Sequence, residues 1–318
     1  MGTEGITGNA IQCKRANPLS SATSLQRGLA MSKKDQIDVR ERQNKIRVCV
    51  AQMCSTNNHA GNIRHLGKAA MYASAQGCQL LALPEVAGLA NMDEKSARAQ
   101  LTPAHQDPYI NACQSLAVEH DLWIQTGSTP VLADDGLFLN RSSLVDNHGV
   151  VRAHYDKIHL FDIFFSGRPP IKESDRYAPG KKAVLVETPW GPWGLSICYD
   201  LRFPHLYRDY AKAGATIQFV PSAFTRKTGA AHWEVLLRAR AIENACFIIA
   251  PAQVGTHDDG RRTWGHSMVI DPWGEVLLDM GGDDVQMAVV DLDLSRVEGA
   301  RSQIPSLAHE RSYQLERC

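Results

Sequence analysis

Residues 46–85, IRVCVAQMCSTNNHAGNIRHLGKAAMYASAQGCQLLALPE, decide the fold. Ile46 to Met53 is a short apolar run of strand length. Asn62 to Ala75 carries apolar residues at helical spacing and is closed by Gly77. Gln79 to Leu83 reads as a second buried strand. Pro84 stops it, because proline cannot donate to a central ladder, and the run ends on a carboxylate, Glu85. Pro108 to Glu119 then gives a helix and Trp123 to Gly127 a strand, so the βαβ rhythm of an α/β protein continues.

The rhythm breaks at Asn140 to Val145 and Val150 to Leu160, which flank the turn Asp146-Asn147-His148-Gly149 and predict a hairpin and hence a mixed sheet. Asp162 to Gly180 carries Gly167, Pro169, Pro170, Pro179 and Gly180 with no period. A structureless loop of that length is usually functional, such as a cover over an active site. Strands are expected at Ala183 to Glu187 and Leu195 to Tyr199. After them comes a helix burying Phe203, Leu206, Tyr207 and Tyr210, then a strand at Thr216 to Val220. A helix striped by Ala231, Val235, Ala239, Ile242 and Cys246 follows, and the remainder is β: Cys246 to Ala250, His266 to Ile270, Val276 to Leu278 and Met287 to Leu292. No repeat or linker interrupts 46–311, so one domain over 45–318 is expected, preceded by an extension over 1–44.

Three chemically capable residues lie at or near the ends of these runs. Cys198, in LSICYDLRFP (195–204), sits where a strand would deliver a thiol rigidly and the following turn would free backbone N–H groups for a developing oxyanion. Glu85 offers a general base. Lys157, in the hairpin, offers a cation. Taken singly, each has an ordinary reading: a buried small hydrophobe, a surface cap, an exposed strand face.

Together, Glu85, Lys157 and Cys198 resemble the catalytic triad of the carbon-nitrogen hydrolase (nitrilase) superfamily. The resemblance runs from about Ile46 to about Arg311. It rests on LPE (83–85), YDKIHLFD (155–162), ICYDLRFP (197–204), PSAF (221–224), TGAAHWEVLLRARAIEN (228–244) and GHSMVIDPWGEV (265–276), in that order. These segments look most like the Nit branch, which includes deaminated glutathione amidases and ω-amidases. RARAIEN, Ala252 to His257 and HSMVIDPWG look closer to the former. The resemblance implies a four-layer αββα sandwich, protomers that dimerise through helices, and a cysteine-dependent amidase with no cofactor. Glu173 in Lys172-Glu173-Ser174 matches a second glutamate near the lysine, and Phe224 and Thr228 resemble substrate-pocket residues of the branch. Arg202, four residues after Cys198, can clamp a substrate carboxylate bidentately, and the Tyr199 backbone N–H can help to hold an oxyanion. The stretch Ile163 to Arg168 departs from the branch, which commonly has acids and a Pro-Gly there. A non-catalytic binding or scaffold protein that kept the fold is the rival reading. An ω-amidase acting on α-ketoglutaramate is the rival substrate.

Composition limits the alternatives. Lys plus Arg and Asp plus Glu both total 34, so no charge imbalance points to nucleic acid or an anionic membrane. No apolar run approaches the ~20 residues that span a bilayer. The 8 cysteines include no CxxC pair, and His232, His257 and His266 are scattered, so neither a metal nor a disulfide framework is expected. Reduced thiols suit a reducing compartment, and a cytoplasmic enzyme is expected. Residues 1–44 are polar and lack an apolar signal core; Gly5 to Lys34 holds basic residues and no acids, a weak similarity to a mitochondrial transit peptide, whereas Met31 offers an alternative start.

Overall fold

The computed structural model describes residues 44–133, 136–164, 167 and 169–318. The expected N-terminal extension lies outside the described residues apart from Asn44, as do Phe165, Ser166 and Arg168 of the divergent stretch.

Along the chain come β1 (Lys45–Gln52), α1 (His59–Ala75), β2 (Leu80–Ala82), α2 (Glu94–Arg98), α3 (Pro108–His120), β3 (Trp123–Gln125), β4 (Thr129–Leu132), β5 (Phe138–Val145) and β6 (Val151–Asp156). Two short strands, β7 (Asp162–Ile163) and β8 (Ile171–Lys172), precede β9 (Val184–Val186), β10 (Trp193–Leu195), α4 (Pro204–Lys212), β11 (Ile217–Phe219), α5 (Arg226–Asn244) and β12 (Phe247–Ala250). The chain closes with β13 (Val254–Thr256), β14 (Arg262–Trp264), β15 (Met268–Ile270), β16 (Val276–Asp279), β17 (Gln286–Asp293) and α6 (Ser295–Gln303).

Two sheets carry the fold. One runs β17-β1-β2-β3-β5-β4 with β6 on the free side of β5; the other runs β16-β15-β12-β11-β10-β9. In each, three neighbouring strands are parallel, β1-β2-β3 and β10-β11-β12, and antiparallel strands extend both flanks. Strand β1 shows why its sequence reads as continuously apolar. Ile46, Val48 and Val50 face the second sheet, whereas Cys49 and Ala51 pack under α1 and α3 with Leu66, Ala70, Tyr109 and Cys113. Trp193 of the second sheet meets Trp123 of the first edge-on at 5.9 Å, and both rings are buried between the layers. Helices α4 and α5 cover the second sheet's outer face through Leu206, Tyr207, Trp233 and Leu237. The layers are helix, sheet, sheet, helix, in one domain.

The structure corrects several expectations. The apolar stripe expected to face inward on α5 faces out: Val235 and Ile242 are 69% and 53% exposed, Ala231 is also exposed, and the helix ends before Cys246. The buried stripe is Thr228, Trp233, Leu237, Arg240, Ala241 and Asn244. Strand β10 stops at Leu195, and Cys198 opens a 3-10 helix, Cys198–Arg202, in place of a strand reaching Tyr199. Strand β6 ends at Asp156, so Lys157 follows the strand rather than lying inside it. The segment 162–180 is tied by the β7–β8 ladder and a 3-10 turn at Glu173–Asp175. Strand β4, the β13–β14 hairpin and α6 had no reading in the sequence.

Candidate active site

Three separate turns at the ends of strands bring Glu85, Lys157 and Cys198 together. Glu85 follows β2 across Pro84. Beneath that turn lies Gly127 at φ +66°, where a Cβ would stand 1.9 Å from the Pro84 carbonyl oxygen, so no other residue fits. The backbone N–H of Val86 donates to Ser128 Oγ at 2.8 Å and fixes the turn from the other side. Lys157 follows β6, where its N–H donates to the Asn140 carbonyl at 3.0 Å and prolongs the hairpin ladder by one residue. Gly180 N donates to the Lys157 carbonyl at 2.8 Å, and a Cβ on Gly180 would lie 2.0 Å from Asp156 O. The two chains therefore touch through bare backbone.

Cys198 is held at φ +49°, in the left-handed region that costs a non-glycine residue about 1–3 kcal/mol. Its N–H donates to Pro221 O at 3.0 Å. The Tyr199 N–H falls in the first turn of the 3-10 helix, where no intrahelical acceptor exists.

The side chains form one buried network. Lys157 Nζ donates to Glu85 Oε1 at 2.9 Å and to Glu173 at 2.8 and 3.1 Å. Glu173 also accepts from the Phe161 N–H at 2.7 Å, and Glu85 Oε2 accepts from the Ala223 N–H at 2.9 Å. Burial lowers the proton affinity of the Lys157 amine, but Glu173 and then Glu85 outweigh it, so the lysine is held charged well above its usual range. The Cys198 thiol is pushed well above the usual thiol range by burial first and the Glu85 charge second; Lys157 and the Ala223 N–H pull the other way without winning. The site therefore holds a thiol that favours its neutral form beside a hydrogen-bonded carboxyl group and a fixed cation.

Arg202, Tyr199 and Phe224 line one flank. The Arg202 guanidinium carbon stands 5.7 Å from the Tyr199 ring centre and 5.6 Å from that of Phe224, and no carboxylate pairs with it among the described residues. Phe224 follows Ala223, whose N–H donates to Glu85. Tyr199 packs edge-on to Phe161 at 5.2 Å, next to the N–H that holds Glu173. Thr228 is buried, but its hydroxyl is engaged in the cap of α5, 2.9 Å from Thr225 Oγ1.

Sequence reasoning missed Asn140. Its Nδ2 donates to Glu85 Oε1 at 3.0 Å and lies 3.5 Å from Glu173 Oε1, so one buried amide braces both carboxylates around the lysine. An asparagine inside a predicted strand, where that residue is disfavoured, was the available signal.

The carbon-nitrogen hydrolase family model matches residues 47–302. The chain is similar to proteins named deaminated glutathione amidase from Yersinia enterocolitica, 39% identical over 269 residues covering 83% of this chain and 92% of that one, and from Synechocystis, 40% identical over 263 residues covering 81% and 95%. Among solved structures it resembles the C. elegans NitFhit protein, with TM-score 0.79 and 37% identity over 84% of this chain and 65% of that one. A buried cluster of thiol, carboxylate and ammonium on an αββα sandwich, matched over most of its length, places the chain in the carbon-nitrogen hydrolase family.

Proposed function

We propose that Cys198 is the nucleophile, Glu85 the general base and acid, and Lys157 the oxyanion cation of a linear-amide hydrolysis. One observation carries this: residues from three distant segments converge on a single buried network in which Lys157 bridges Glu85 and Glu173. Glu85 takes the thiol proton as sulfur attacks the carbonyl carbon. Lys157 Nζ and the Tyr199 N–H hold the oxyanion, where a single donor is worth about 3 kcal/mol. Glu85 returns the proton to the nitrogen, the C–N bond breaks and ammonia leaves. A water that gives its proton to Glu85 then cleaves the thioester, releasing the acid and the free thiol. Glu173 keeps the ammonium charged and aimed.

The substrate read from the site is a small acidic, peptide-like amide. Arg202 is the reason: a guanidinium over the rings of Tyr199 and Phe224, 3.3 Å from His232 Nδ1 and with no carboxylate on it among the described residues, suits a bidentate substrate carboxylate. Deaminated glutathione is favoured by the relatives' names, with Phe224 and Thr228 shaping the pocket. Measured by ammonia release, its kcat/KM should exceed that of α-ketoglutaramate; the reverse order would favour the ω-amidase reading. No ammonia from either, with Cys198 inert to iodoacetamide, would favour the scaffold. Arg202→Ala should lower kcat/KM for the acidic amide by tens of fold, the equivalent of about 2 kcal/mol for a lost charge-assisted pair. A neutral amide of similar length should lose far less; an equal fall would make Arg202 structural.

A homodimer is the reading we favour for the assembly. Ala231, Val235 and Ile242 on α5 and the neighbouring Trp273, 55% exposed, form an apolar strip beside Glu234 and Arg238, which suits a two-fold contact with a second copy. Light scattering should give twice the chain mass for the wild type and a smaller species for Val235→Asp; a monomeric wild type refutes the reading. No described helix is long and apolar enough to cross a membrane. Residence in the cytoplasm is proposed from the free cysteines, and microscopy of the full-length fusion tests it.

A further inference from the structure

We propose that Asp200 is a positioning residue that sets the distance between the nucleophile and the oxyanion cation. The inference goes beyond the roles given to Glu85, Lys157 and Cys198 but rests on them. Asp200 is fully buried, and its carboxylate accepts four hydrogen bonds. Oδ2 accepts from the Tyr155 hydroxyl at 2.6 Å and from the Ile197 N–H at 2.9 Å. Oδ1 accepts from the His159 N–H at 3.0 Å and lies 2.6 Å from His159 Nδ1.

The placement of those donors carries the inference. Tyr155 and His159 stand two residues before and two after Lys157, and Ile197 immediately precedes Cys198. A single carboxylate therefore grips the lysine's segment on both sides and the nucleophile's turn at its entry. Lys157 and Cys198 come from different sheets, and nothing in either strand ladder fixes one against the other. The left-handed Cys198 is a strained conformation that must be held from outside, and the Asp200 bond to Ile197 closes that turn. The His159 ring stacks on Phe203 at 3.5 Å and 7°, so the lysine segment is also clamped to the far end of the 3-10 helix. A shift of about 1 Å between reacting groups can cost on the order of 100-fold in rate. Asp200 touches neither substrate nor a reacting atom in this account; it acts through its neighbours.

The test is a double-mutant cycle on the full chain, followed by steady-state kinetics and thermal melting. Tyr155→Phe removes one hydroxyl and should lower kcat about 10-fold, with KM within about 2-fold and the melting temperature nearly kept. Asp200→Asn should lower kcat on the order of 100-fold, again with KM held. The double variant should be no slower than Asp200→Asn, because both changes break one contact. Losses that multiply, losses carried by KM, or a kcat unchanged in Tyr155→Phe would each overturn the proposal. Should Asp200→Asn fail to fold, Tyr155→Phe carries the test alone through its kcat-against-KM split. A Cys198→Ala control separates the two levels: if it is active, the nucleophile assignment itself is wrong. If it is dead while Tyr155→Phe is normal, only the role of Asp200 falls.

Discussion

Cys198→Ala should lose amide turnover by at least on the order of 10⁴-fold while melting within a few degrees of the wild type. The activity loss follows from the site's contents. On the proposed mechanism sulfur is the attacking atom, and the remaining groups, Glu85, Lys157, Glu173 and Asn140, hold one another through hydrogen bonds of 2.8–3.5 Å that do not involve it. The retained stability follows from size, since replacing a thiol by hydrogen leaves a void smaller than a methylene pair, and the strained turn keeps its Pro221 and Asp200 contacts. Incubation with deaminated glutathione and ammonia detection gives the rate, and intact-mass measurement tests the intermediate. Wild type quenched early should carry the acyl group on Cys198 and the variant none. Ammonia release by the variant above a trace would remove Cys198 from the mechanism.

How much of this was readable beforehand depended on whether a feature leaves a periodic or chemical mark. The β1-α1-β2 unit was legible because each element is bounded by a breaker, Gly77 or Pro84, and because strands covered on both faces must be apolar throughout. Glu85 and Cys198 were legible only in company: each lies at or near the end of an apolar run, but singly each has an ordinary reading, and the ordered family motifs around them carry the assignment. The geometry at Cys198 was not, since no residue pattern announces a left-handed cysteine held by a carboxylate two positions on. Lys157 reads as part of the strand that follows the Asp146 to Gly149 turn, yet the strand ends one residue earlier and only the Lys157 N–H continues the pairing. Helix α5 is the instructive failure. It carries an apolar row along Ala231, Val235 and Ile242 and a second, partly polar row through Trp233, Leu237, Arg240 and Asn244. The purer row reads as the core, but the structure buries the other, whose side-chain donors find internal carbonyl acceptors although Asn244 Oδ1 has no partner among the described residues. Arg240 donates to the Leu201 carbonyl at 2.7 and 3.1 Å, and Asn244 to the Arg240 carbonyl at 2.9 Å. Burial with partners cannot be seen in one segment alone, because Leu201 lies in another. Asn140 and Asp200 were missed for the same reason.

Lys157→Met should inactivate the enzyme and also destabilise it, in a manner that depends on pH. The ammonium is buried and is a shared partner of two carboxylates, Glu85 and Glu173, whose other partners among the described residues are Asn140 Nδ2, backbone N–H groups and, for Glu85, the Cys198 thiol. Removing one member of such a buried set leaves uncompensated charge and costs about 3–5 kcal/mol. In the wild type the lysine is held charged well above its usual range, so its contribution is complete below the unfolded value of ~10.4 and is lost only as pH rises through the higher folded value. Across neutral and mildly acidic pH the wild-type lysine therefore stays charged. In the variant the sign reverses. Two facing carboxylates without a cation favour retaining one proton between them, so the folded state binds protons more tightly than the unfolded chain and gains stability as pH falls from about 8 to about 5. The melting-temperature gap between variant and wild type should be widest near pH 8 and should narrow towards pH 5. A gap independent of pH would mean that the loss is one of packing alone, and that Glu85 and Glu173 do not share the lysine's charge. Activity should not return at the lower pH, since a proton held between carboxylates neither stabilises an oxyanion nor leaves Glu85 free to take one from the thiol.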